Sequence, residues 1–442
     1  MAARQARRAR GRRLLVAVVR GARVRGRAGR SPQARASPPR RGRGRHGALA
    51  RAERGALGTH VPRHVKVLFL TTNYPSDESP VDGVFVREHA RAAAQAGADV
   101  RVVHLQRTPG RRGLFELVRE DDDPPLVRVR YRRFPRPLSY AAFVAGARAA
   151  AGDPDVVHAS SHLAALAART LRKPLVYSEH WSAFLPDNPT RLSRPMARAA
   201  RSTLERAELV LPPSEAMRAA LAAHAPRARL RVVPNVVDDE LFRPGSWSDR
   251  GERRLLTVGL LGENGAKGID YLIDAVALLA RERNGFRLDV VGDGVLRAQY
   301  EEQARRLGVD GLVSFHGLRP KPELAERMRA ADLFVLASRF ENNPCVVLEA
   351  MATGLPVVAT RVGGLPELVD ESTGLLAEPR DPESIARRIG EALDRLDAFD
   401  REEIARRARE RYGRAAVGAL LLRAYEDAQR EAEAPSPDRL VE

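Results

Sequence analysis

From residue 65 onward, short apolar runs alternate with stretches whose apolar positions recur every three or four residues. This is the pattern of strands joined by helical crossovers in parallel α/β sheets. In the first half it predicts strands at Val65–Thr71, Asp99–Leu105, Leu126–Arg132, Val156–Ala159, Pro174–Ser178 and Leu209–Leu211. Helices are predicted between them at Val84–Ala96, Tyr140–Ala151, Leu163–Leu171, Leu192–Ala207 and Ser214–Ala223, the last with Ser214 as N-cap. A second series follows Pro244-Gly245-Ser246. It predicts strands at Leu255–Leu260, Arg287–Val291, Val313–Phe315, Leu333–Leu336 and Val357–Ala359, with helices at Ile269–Arg283, Leu296–Leu307, Pro322–Ala331 and Cys345–Thr353. The expected architecture is α/β, with two doubly wound, Rossmann-like domains joined near 235–252. Such sheets take ligands beyond the carboxyl ends of their strands, so two of them facing each other share one central cleft.

Length agrees with this division, since 442 residues exceed one ordinary core of about 150. No apolar run approaches the roughly 20 residues of a membrane-spanning helix. Leu14–Val19 is too short for a signal-peptide core. Cys345 is the one cysteine, which excludes an internal disulfide framework and fits a reducing compartment, so a cytoplasmic location is expected.

Charge changes the picture only at one end. Residues 1–64 hold 19 arginines, no lysine and one acid, Glu53, and account for nearly all of the formal +19. The remainder is close to neutral, so no nucleic-acid partner is expected for the folded body. The leader, rich in Arg, Ala, Gly and Pro, lacks the periodicity a core needs and reads as disordered. It can be a basic tail for anionic lipid or nucleic acid, an Arg-rich targeting peptide, or the product of a start codon set too early; the last is the preferred reading.

The chemistry concentrates in Ser338-Arg339-Phe340-Glu341-Asn342-Asn343-Pro344-Cys345-Val346-Val347-Leu348-Glu349. A buried strand is predicted to end at Ser338, and a helix to begin with Pro344 near its first position, where proline is tolerated. The free amides of that first turn suit an anion such as a diphosphate. Glu341 in the loop and Glu349 a turn into the helix can address one ligand from two heights, and carboxylates accept hydrogen bonds from vicinal hydroxyls. Taken alone, Glu349 reads as a helix-surface residue, and for Lys267 a solvated lysine before a helix is the lesser alternative.

Context alters that reading. The two glutamates with seven residues between them, then Ala350-Met351-Ala352-Thr353-Gly354-Leu355-Pro356 and Val362-Gly363-Gly364-Leu365-Pro366-Glu367, resemble the donor-site signature of family 4 (group 1) retaining glycosyltransferases of the GT-B fold. Asn73-Tyr74-Pro75 with Gly83-Val84-Phe85, then Ser178-Glu179-His180, Val233-Pro234-Asn235, Lys267-Gly268 and Gly292-Asp293-Gly294 follow in the family's order, so the likeness covers about residues 65–430.

The resemblance implies an acceptor-side domain at 65–245, a nucleotide-sugar domain at 246–414, and a C-terminal helix and tail at 415–442 returning to the first domain. It implies that Glu349 binds the ribose hydroxyls and that Glu341 lies near the transferred sugar. Amides from Asn343 through Pro344 and Cys345 to Val346 would hold the phosphates. Lys267 would neutralise the leaving diphosphate, His180 would meet the donor sugar, and Gly83 would allow close backbone approach. One departure stands out: the arginine expected before Lys267 is missing from Val258 to Ala266, so either Arg339 or Arg361 replaces it or Lys267 and helix dipoles suffice.

The implied function is retaining transfer from a nucleotide-sugar donor to a saccharide or lipid-linked acceptor in polysaccharide or glycolipid assembly. No cofactor is expected, and no metal, since no Asp-x-Asp stands at a strand end. A sugar-nucleotide epimerase, a phosphorylase, or a non-enzymatic binder working through the leader remain as alternatives. Arginine stripes at 128, 130 and 132, and at 191, 194, 198 and 201, can attract lipid headgroups at the inner membrane face or can be solvated faces.

Overall fold

The computed structural model describes residues 64–433 except 78, 109–113, 133–135 and 246–250, so the readings of the Arg-rich leader fall outside the described residues. The first domain contains β1 (Lys66–Thr71), α1 (Val84–Gln95), β2 (Asp99–Thr108), β3 (Phe115–Glu120), β4 (Leu126–Arg132), α2 (Arg136–Ala151), β5 (Val156–Ala159), α3 (His162–Ala168), β6 (Leu175–Ser178), α4 (Arg194–Leu204), β7 (Leu209–Leu211) and α5 (Glu215–His224). The second contains β8 (Arg253–Val258), α6 (Ile269–Glu282), β9 (Phe286–Val291), α7 (Arg297–Arg306), β10 (Val313–Phe315), α8 (Lys321–Ala330), β11 (Leu333–Leu336), α9 (Cys345–Ala352), β12 (Val357–Thr360), β13 (Gly374–Ala377), α10 (Pro382–Asp394) and α11 (Arg401–Tyr412). The last helix, α12, is Arg414–Glu433.

The first sheet has the order β3-β4-β2-β1-β5-β6-β7, parallel except for β3, which pairs antiparallel with β4. The second is parallel throughout, in the order β10-β9-β8-β11-β12-β13. Central strands such as β11 are buried along their whole length, as expected where helices cover both faces. The strand order reverses between β1 and β5 in one sheet and between β8 and β11 in the other. These are the points where an open α/β sheet leaves a crevice beyond its strand ends.

Sequence periodicity missed four elements. β3 reads Phe-Glu-Leu-Val-Arg-Glu because it is an edge strand with one half-exposed face. β13 has only four residues and opens on glycine. In α11 alanines supply half of the inward face, so the apolar contrast is low; α10 buries Ile385 and Ile389 on one side and has an ordinary amphipathic period, so low contrast does not account for it. Both helices nevertheless have side-chain N-caps, Asp381 and Asp400, each of which stabilises its helix by about 1 kcal/mol.

α12 returns to the first domain and places Val417, Leu421, Ala424 and Tyr425 in one core with Val67, Phe69, Val86 and Ala90. The Tyr425 hydroxyl is 2.9 Å from His158 Nδ1, and His158 Nε2 is 2.7 Å from Ser178 Oγ, so a buried polar chain fixes the helix to β5 and β6. Where the chain crosses between domains, Val237 N donates to the Tyr412 carbonyl at 2.9 Å. There Arg414 meets Glu88 at 2.9 Å and Asp238 at 2.5 Å.

The β4 arginine stripe is corrected by the structure. Arg128 is buried: its Nη1 lies 2.8 Å from His104 Nδ1, Nη2 donates to the Pro75 carbonyl at 2.8 Å and Nε to Glu120 at 2.7 Å. It braces the loop after β1 and is not part of a lipid-facing row.

Candidate active site

The loops after β8 and β11 flank the switch point of the second sheet and carry two of the expected residues. Lys267 Nζ is 2.5 Å from Glu341 Oε1, and Ser338 Oγ donates to the same oxygen at 2.8 Å. The loops are tied by Arg339 N donating to the Ala266 carbonyl at 2.8 Å, and Thr360 Oγ1 donates to the Ser338 carbonyl at 2.6 Å. Loop register, rather than helix spacing, therefore brings ammonium and carboxylate together.

α9 starts at Cys345 with Pro344 as its N-cap residue in an extended conformation, one position earlier than expected for the proline. The Cys345 and Val346 amides have no preceding helical turn to bond. Free N–H groups of this kind are suited to an anion, and these two lie close in sequence to Glu341. The Cys345 thiol is pushed up to about 12, mainly by burial and then by Glu349, and is inert as a nucleophile at neutral pH.

Glu349 is buried, with one oxygen 3.1 Å from Lys321 Nζ. Burial raises its carboxyl above the usual range while Lys321 pulls the other way. At Lys321 burial works to lower the ammonium, but the Glu349 and Glu88 carboxylates outweigh it and hold it high. The second glutamate is thus a restrained carboxylate and not a free surface residue.

On the facing domain, His180 follows β6 and packs its ring 4.3 Å from that of Phe85 and 5.6 Å from that of His89. Its Nε2 is buried without a hydrogen-bond partner among the described residues, as are several other side-chain atoms, Asn342 Nδ2 and Thr257 Oγ1 among them. Burial, with His89 and His158 adding to it, holds the ring well below the usual imidazole range, hence neutral at pH 7. Phe85 belongs to the first turn of α1, whose N-cap is Gly83 with φ 63°. A Cβ there would fall 2.2 Å from the Asn73 carbonyl, so glycine is required for the loop after β1 to pack on α1. Gly83 and His180 therefore share one wall, while Lys267, Glu341, Glu349 and the α9 terminus form the other. No direct bond joins His180 to Glu341 among the described residues.

Asn343 does more than was expected of it. Its Oδ1 accepts from Asn235 N at 2.9 Å and its carbonyl accepts from Asn235 Nδ2 at 2.6 Å, so it fastens the donor loop to the interdomain segment. Of the two candidate replacement arginines, Arg339 lies beside the Lys267 loop, paired with Asp270 and 5.0 Å above the Tyr271 ring. Arg361 is turned to Glu378 at 3.5 Å on the exposed surface. Lys321 carries no sequence signal, and Ser338 and Asn235 stand in the informative stretches without a role that sequence alone assigns them. A serine ending a strand and a lysine opening a helix carry no periodic or spacing signal. Among the described residues no cluster of three His, Cys, Asp or Glu could hold a metal ion, and no helix is long and apolar enough to cross a membrane.

Comparison with known proteins matches both halves of the chain. Residues 83–241 match the model described as Glycosyltransferase Family 4, and residues 252–395 the one described as Glycosyl transferases group 1. The sulfoquinovosyl transferase SQD2 of Arabidopsis thaliana is 34% identical over 58% of this chain and 53% of its own length. The chain spans about half the length of the first curated relatives it matches. A longer match is D-inositol 3-phosphate glycosyltransferase 1 of Catenulispora acidiphila, 36% identical over 70% of this chain and 82% of that protein. Among solved structures, Anabaena Alr3699/HepE in complex with UDP has a TM-score of 0.65 at 22% identity, covering 82% of this chain and 99% of that one, a likeness of fold. With both halves matched in order and one relative aligned over four-fifths of its length, the chain belongs to the family 4 (group 1) glycosyltransferases and has their GT-B fold.

Proposed function

We propose that the protein transfers a sugar from a nucleotide-sugar donor to a hydroxyl acceptor with retention of anomeric configuration. The observation that carries this reading is the meeting of Lys267, Glu341 and the α9 N-terminus at the switch point of the second sheet. On this reading the diphosphate lies over the Cys345 and Val346 amides with Lys267 as its counter-charge, and Glu349 takes the ribose hydroxyls. Bond cleavage passes through an oxocarbenium-like state. The developing charge on the leaving oxygen is stabilised by fixed donors, and that oxygen takes the acceptor's proton. No step is assigned to a divalent ion. A thermal-shift screen of nucleotide sugars, followed by NMR of the product, tests the reading: a donor-dependent shift and a retained anomeric centre are expected. Inversion, or no shift with any donor, overturns it. Product formation without acceptor would favour an epimerase.

The acceptor is proposed to be lipid-linked and met at the cytoplasmic membrane face. Trp181, next to His180, is 45% exposed, and Met196 on α4 is 48% exposed. Contacts running from Trp181 to Phe184, then to His224 and the Ala197 carbonyl connect the Trp181 segment to α4. The exposed Arg191, Arg194 and Arg198 lie on or beside α4. An aromatic, a flexible apolar side chain and unshielded arginines together suit an anionic interface. Sedimentation with phosphatidylglycerol vesicles but not phosphatidylcholine vesicles, lost on replacing Trp181 and Arg198 by Ala, is expected. A soluble acceptor used equally well by the doubly substituted protein would count against the lipid.

A further inference from the structure

The motif Gly363-Gly364-Leu365-Pro366-Glu367 supports the family assignment, yet its carboxylate has no role in the site described above. In the structure it leaves its own domain. Glu367 Oε2 accepts from Glu215 N at 2.8 Å and Oε1 from Ala216 N at 2.7 Å, the first two amides of α5 in the facing domain. Ser214 accepts from the third, Met217 N, at 3.1 Å. Three of the four amides that a helix start leaves open are thereby satisfied, two of them by a charge from across the cleft.

Neighbouring contacts converge on the same place. Ser214 Oγ donates to Asn342 Oδ1 at 2.7 Å, and Gly363 N donates to Asp187 at 3.1 Å. A Cβ on Gly364 would fall 2.1 Å from the Asn342 carbonyl and 3.0 Å from Ser214 Cβ, so this turn can be seated against both the glutamate loop and α5 only without a side chain. Asn342 directly follows Glu341. The contact therefore fixes the register of the loop that carries Lys267's partner at the moment the two walls meet.

We propose that Glu367 is a closure latch: its carboxylate, docked on the N-terminus of α5, holds the acceptor wall against the donor wall and positions the Glu341 loop, without touching substrate. The proposal rests on the transfer reading only for its kinetic consequence; the latch itself is a statement about the distance between domains.

Two substitutions probe it from opposite sides. Glu367→Gln preserves volume but replaces one accepting oxygen by an N–H₂ that faces an N–H. Glu215→Pro removes one donor at the first helical position, where proline is tolerated. Spin labels on cysteines introduced at the exposed Ala149 and Glu302 report the interdomain distance by pulsed electron resonance, with the protein lacking both introduced cysteines as the control for labelling of Cys345. Each variant is expected to broaden and lengthen the distance distribution. Each should lower kcat/KM for transfer about tenfold and leave nucleoside diphosphate affinity within twofold, because the contacts proposed above for the nucleotide all lie on the second domain. Combining the two should add little, since both break one interaction. Unchanged distances in both variants, or fully additive losses in the double variant, would overturn the latch. Failure of the wild type to bind any nucleoside diphosphate would instead remove the transfer reading, and the distance measurement would still decide the latch.

Discussion

Replacing Lys267 by methionine separates what the Lys267–Glu341 pair does for stability from what the lysine does for turnover. At 2.5 Å the raw attraction is about 7 kcal/mol for an effective dielectric near 20. Most of it offsets desolvation, because the side chains retain only 23% and 12% of their exposure. What remains is a charge-assisted hydrogen bond worth about 2 kcal/mol net. The substitution would leave Glu341 with Ser338 as its remaining partner, and the melting temperature should fall by about 4–8 °C for a domain of this size. Adding Glu341→Gln removes the stranded charge and should restore most of that loss.

Turnover should behave differently. One fixed donor to a developing oxyanion contributes about 2.7–4 kcal/mol, a factor of about 10² to 10³ in kcat, and the second substitution cannot restore it. The assay is kcat with saturating donor alongside calorimetric binding of the nucleoside diphosphate. A Lys267→Met enzyme with kcat within threefold of wild type and intact nucleotide binding would refute the assignment of Lys267 to the leaving group.

Glu349→Ala should weaken nucleoside diphosphate binding about tenfold or more, and this loss should vanish for a 2′,3′-dideoxy nucleotide; an equal loss for both would place the ribose elsewhere. The buried His104 ring is pulled down to about 4, first by burial and then by Arg128. Below pH 6.5 the unfolded chain therefore takes up this proton and the native state does not, so the stability is present above 6.5 and declines on acidification toward 4. Between pH 7.5 and 5 the wild type should lose about 2 kcal/mol more than His104→Gln in urea titrations, and parallel curves would contradict it. Excess chelator should leave the transfer rate unchanged; a large loss restored by a divalent ion would show that Lys267 and the α9 amides are not sufficient counter-charges.

Alternation of apolar runs with amphipathic stretches was enough to specify two α/β sheets with parallel cores, because strands covered on both faces and helices covered on one leave distinct periods; the antiparallel edge strand β3, the short β13 and the helices α10 and α11 escaped it. Glu341, Glu349 and the amides of α9 lie within one strand-loop-helix unit, so their placement along the chain was legible, but spacing alone left Glu349 a helix-surface residue and only the family resemblance suggested a role for it. Partnerships between distant segments were not legible. Lys267 with Glu341, Lys321 with Glu349, Asn235 with Asn343, and Glu367 with the start of α5 each join residues between 28 and 152 positions apart. Such pairs are decided by strand order and domain seating, which no local pattern encodes. The same holds for Arg128, whose alternation with Arg130 suggested an exposed row. Only packing against His104 and the loop after β1 turned it inward, since burial of a guanidinium depends on partners that tertiary structure brings within reach.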